Sequence, residues 1–78
     1  MNIDKKLVNI FQKIFKKKNV KLLKRINEEK WDSLIHVNLI IGIESELDIK
    51  FNSAQIESLN SFKSILNIIK KNINEKNS

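Results

Sequence analysis

The chain has 78 residues, a formal net charge of +6, no cysteine, one histidine, one glycine and no proline. Disulfides, thiolate metal sites, cysteine nucleophiles and glycine-rich phosphate loops are therefore excluded, and a lone histidine leaves little for a metal cluster or a Ser–His relay. With 41% hydrophobic and 31% charged residues, the composition fits one small domain with a single modest core. Nothing here assembles a catalytic centre, so the chain is not expected to be an enzyme.

Residues 1–78 read as a single domain, ordered over about 3–73, with a polar tail at 74–78 expected to fray. Scarce glycine and proline, with apolar residues three and four apart, predict an all-α fold. Ile3, Leu7, Ile10, Phe11 and Ile14 mark one face of a first helix over roughly 3–16. Residues 19–31 read as a long connection, with Val20, Leu22, Leu23 and Ile26 available to tack it to the core. A second helix should start at Ser33, capped by Asp32 or Ser33, and run to about Asp48. Asn52 or Ser53 can cap a short third helix, and Asn60 or Ser61 a fourth through Phe62, Ile65, Leu66, Ile69 and Ile73. The expected core includes Leu7, Phe11, Leu39, Ile43, Leu47, Phe62 and Ile65.

Charge is unevenly spread. Residues 1–31 carry ten Lys/Arg against three Asp/Glu, whereas residues 32–60 carry Lys50 alone against Asp32, Glu44, Glu46, Asp48 and Glu57. The basic stretch of Lys13, Lys16, Lys17, Lys18, Lys21, Lys24 and Arg25 suits nucleic acid or anionic lipid. No aromatic ladder interleaves it, and a solvated surface is the plainer expectation. No apolar run reaches the length of a membrane span and no signal-peptide core is present, so the expected location is cytoplasmic.

Residues 31–51 read WDSLIHVNLIIGIESELDIKF. This stretch resembles the acyl carrier proteins around their Asp-Ser-Leu attachment motif, and the likeness continues without a gap from Asp32 to about Ile69. Val37, Leu39, Ile43 and Leu47 fall on that family's apolar helix positions, and Glu44, Glu46 and Asp48 on its acidic cluster. Phe51, Ile56, Leu59 and Phe62 match the residues that follow.

The resemblance implies a small four-helix carrier, monomeric, with phosphopantetheine attached to Ser33 and with Asp32 and Leu34 completing the motif. A phosphopantetheinyl transferase (holo-carrier synthase) would load the arm from coenzyme A. Its thiol would carry acyl groups as thioesters between enzymes of fatty-acid, lipid or specialised biosynthesis. Ile35 and Asn38 stand where many fatty-acid carriers have acids, which leaves room for a secondary or surface-polysaccharide pathway. An aminoacyl or peptidyl carrier is the nearer alternative. A small basic helical protein binding nucleic acid through residues 13–25 is the alternative of another class.

The residues themselves fit the carrier reading. A serine opening a helix sits among free N–H groups at the positive end of the dipole, which suits an attached phosphodiester. On a 3.6-residue helix Ser33, Val37, Ile40 and Glu44 share one stripe, flanked by Leu34, Ile41 and Asp48. Val37, Ile41, Glu44 and Asp48 are the expected partner-binding residues, meeting acyl-loading and acyl-transferring enzymes through basic docking surfaces. Glu44, Glu46 and Asp48 lie where the dipole disfavours anions, which points to recognition rather than stability. His36 is expected to be simply packed. Trp31 is open between packing and partner contact.

Overall fold

The computed structural model describes residues 2–77, with side chains described through Ile73. Four α-helices follow one another: α1 Ile3–Phe15, α2 Ser33–Leu47, α3 Ser53–Ser58 and α4 Phe62–Asn77, with a short 3₁₀ turn at Arg25–Asn27 before α2. No helix among the described residues is long and apolar enough to cross a membrane. The backbone of α4 is helical as far as Asn77, and Ser78, the last residue of the expected tail, lies outside the described residues.

Each start is set by a short polar side chain. Asn2 accepts from the N–H of Lys5 at 3.0 Å, Asp32 from Ile35 at 2.9 Å and Asn52 from Gln55 at 2.8 Å. Ser61 accepts from Ser64 at 3.1 Å at the start of α4. Every one of these is a donor three residues on, the spacing that satisfies an orphan N–H of a first turn. In α3 the Gln55 side chain also accepts from the Asn52 N–H at 3.1 Å, completing a capping box. Six residues cannot hold a helix alone, and α3 is further tied to α4 by Gln55 donating to Asn72 Oδ1 at 2.8 Å.

The core is formed by Leu7, Ile10, Phe11 and Phe15 of α1 against Leu39, Ile40, Ile43 and Leu47 of α2 and Phe62, Ile65 and Ile69 of α4. All seven expected core residues are fully or nearly fully buried. On α1 the buried edge is Phe15, four residues after Phe11, while Ile14 is only half-buried. Phe15 sits against both Phe11 and Trp31, with ring centroids 5.5 and 5.3 Å apart.

The connection between α1 and α2 is less apolar in its attachments than its sequence suggests. Val20 is buried and Leu23 half-buried, but Leu22 and Ile26 are exposed and hold nothing to the core. Backbone hydrogen bonds do that work instead. The Arg25 N–H donates to the Asn60 carbonyl at 2.8 Å, and the Phe62 N–H donates to the Leu23 carbonyl at 3.0 Å. An ion pair adds to them: the Lys17 ammonium meets the carboxylate of Glu28, a buried residue.

The Lys17 hydrogen bond, with that of the Lys30 N–H and both positive charges, outweighs burial and holds the Glu28 acid below its ordinary 4.5. A carboxyl depressed in the folded state stabilises above its unfolded value, and that contribution is lost as pH falls through the lowered one. Glu28→Gln should therefore be less stable than the parent at neutral pH, with the gap closing under acid conditions in melts run across pH. An equal gap at every pH would show that the side chain's shape, not its charge, matters.

Candidate functional site

Asp32, not Ser33, caps α2, and this division of labour makes the site. Ser33 is the first helical residue, exposed, and its Oγ meets no partner among the described residues. The first turn's N–H groups have no carbonyl within the helix to meet. Asp32 takes that of Ile35 on its carboxylate and that of His36 on its carbonyl, both at 2.9 Å. Those of Ser33 and Leu34 are left beside the serine hydroxyl, where the helix dipole favours negative charge.

A rigid frame holds this exposed serine in place. Trp31 and His36 are both buried. The Trp31 indole N–H donates to His36 Nδ1 at 2.9 Å, and His36 Nε2 lies 3.2 Å from the Ile56 carbonyl. An indole can only donate, so Nδ1 accepts and Nε2 is the ring's donor to Ile56. One side chain thus links the end of the connection, the first turn of α2 and α3. His36 is packed, as expected, but it is also a bonded junction. Trp31 belongs to the core, edge-on to Phe11 with centroids 5.7 Å apart.

Both ring nitrogens of His36 are engaged, so the one histidine is not free to take the Ser33 proton. Among the described residues no group of acids and histidines is placed to hold a metal. The site presents an exposed hydroxyl at a helix start.

Along α2 the structure turns the expected stripe by part of a turn. Ile40 is buried in the core and leaves the outer face. Leu34, Val37 and Ile41 form that face instead, at 69%, 51% and 58% exposure. Asp48 follows α2 in the left-handed region at φ 52°, its N–H donating to the Glu44 carbonyl. At 1.5 Å per residue, the face from Ser33 to Asp48 spans about 20 Å.

Glu44 has a structural duty that its position in an acidic cluster hid. Its Oε2 accepts from the N–H of Phe51 at 2.9 Å, a group across the turn that leads into α3. The expectation that the acids merely burden the helix end thus needs correcting for Glu44. Glu44→Ala orphans the N–H of a buried residue and should cost about 1.5–3 kcal/mol. Glu44→Gln, which keeps an acceptor oxygen, should recover much of the loss in urea unfolding. Equal losses for both variants would mean that the bond contributes little.

No family model matches the chain, and no curated protein matches it either. Among solved structures it is similar to a holo acyl carrier protein from Geobacter metallireducens, determined by solution NMR. The TM-score is 0.81 at 26% identity, covering 97% of this chain and 91% of that one. The likeness spans all four helices, the long connection and the turn that presents Ser33. The chain shares the fold of the acyl carrier proteins, the family that its Asp32-Ser33-Leu34 segment resembles.

Proposed function

We propose that the chain is a carrier whose Ser33 holds phosphopantetheine by a phosphodiester bond and which delivers acyl groups between enzymes of fatty-acid, lipid or specialised biosynthesis. The observation that carries this reading is Ser33 itself: exposed, unpartnered and first in α2, on a chain similar to a carrier in its holo form. The residues present suit the group. The N–H groups of Ser33 and Leu34, unclaimed among the described residues, favour an anionic phosphate, and Ser33 is exposed. The arm's thiol supplies thioester chemistry. In this reading the Ser33 proton goes to the transferase, and the chain serves as substrate and shuttle rather than catalyst.

Leu34, Val37 and Ile41 form the apolar centre of the partner surface in this reading, with Asp48 and the partly exposed Glu44 at its acidic end. Such a surface suits enzymes that present basic rims around an apolar hollow. Incubating the chain with coenzyme A and a broad-specificity phosphopantetheinyl transferase should add the mass of one phosphopantetheine. An unmodified chain after trials with several transferases would overturn the reading. Mass analysis of the loaded arm recovered from cells then distinguishes an acyl cargo from an aminoacyl one.

A further inference from the structure

The connection between α1 and α2 carries Lys16, Lys17, Lys18, Lys21, Lys24 and Arg25 and no carboxylate before Glu28. Among the described residues, Lys17 alone of these six pairs with a carboxylate. Within this run Leu22 is 81% and Ile26 90% exposed, the highest values for any large hydrophobic residue described. Lys21, Leu22 and Lys24 line a shallow hollow with Lys63 of α4, and Lys18, Lys21 and Leu22 line the next. Leu22 therefore stands among four cations contributed by two elements.

Single exposed aliphatics are ordinary on a protein surface, but two of them amid unneutralised cations need a counterpart that is both anionic and apolar. We propose that this connection is a docking surface for an anionic lipid bilayer. Leu22 and Ile26 enter at headgroup depth while the surrounding lysines and Arg25 meet lipid phosphates. Nucleic acid fits less well, because it rewards stacking and all four Phe and the Trp are buried. A protein partner fits less well too, because aliphatics dispersed among cations do not form a contiguous apolar centre. The surface shares no residue with the outer face of α2, so it stands whether or not Ser33 is modified.

The test is flotation of the full chain with vesicles of equal parts phosphatidylglycerol and phosphatidylcholine, against vesicles of phosphatidylcholine alone. The chain should float with the mixed vesicles only, and less so as salt is added. Leu22→Ser with Ile26→Ser should weaken binding by at least about tenfold, because lost aliphatic insertion is large per methylene. Lys21→Glu with Lys24→Glu should do the same through charge, and both variants should keep the parent's helical circular dichroism. The proposal is overturned if the chain ignores mixed vesicles at low salt, or if the aliphatic variant floats like the parent. It is also overturned if a single-stranded oligonucleotide binds more tightly than the vesicles, or if the variant abolishes self-association in place of vesicle binding.

Discussion

Phe11→Ala should remove a large part of the chain's folding stability at room temperature. Phe11 is fully buried and touches three other rings, with centroid distances of 5.5 Å to Phe15, 5.7 Å to Trp31 and 5.0 Å to Phe62. The Trp31 and Phe62 contacts are edge-on, the favoured arrangement. Truncation removes the ring and strands its three neighbours around a void, at a cost of about 3–5 kcal/mol. A domain of this size holds only about 4–12 kcal/mol in all. The loss also reaches the site, because Trp31 is the donor that fixes His36. Phe11→Leu, which keeps much of the volume, should lose clearly less and retain a cooperative melt. A loss below about 1 kcal/mol for the alanine variant would show that the ring cluster is not the centre of the core.

Ser33→Ala should abolish loading by the transferase completely and leave the melting temperature where it was. The two halves of that result come from different residues. Loading needs the Ser33 hydroxyl, whereas α2 is started by the Asp32 carboxylate. Removing an exposed oxygen that has no partner among the described residues should change stability by no more than about 0.5 kcal/mol. Asp32→Ala should give the opposite balance at the level of folding, costing about 1 kcal/mol through the lost cap. Mass gain on the Ser33→Ala chain would move the attachment to another residue and sink the assignment. A large fall in its melting temperature would instead mean that Ser33 shares the capping task with Asp32.

What could be read from the sequence alone was whatever depends on neighbours along the chain. Asp32, Asn52 and Ser61, each one of two cap candidates the sequence offered, accept from a donor three residues away, as does Asn2, which the sequence reading did not single out. Leu39, Ile43 and Leu47 recur every four residues and are buried together. Ser33 was legible for the same reason, since its motif and its place at a helix start lie within a few consecutive residues.

The tertiary structure decided the features whose partners are far along the chain. Helix α2 is apolar on nearly every side, so periodicity could not tell buried Ile40 from exposed Ile41; packing against α1 chose between them. Leu22 and Ile26 looked like anchors, but backbone bonds to Asn60 and Phe62 hold the connection and leave both in water. Lys17 and Glu28 are eleven residues apart, Glu44 and the Phe51 N–H seven, and His36 and Ile56 twenty. No sequence period spans such gaps. A polar group meets a distant partner only when folding brings the two segments together, so their pairing belongs to the packed chain.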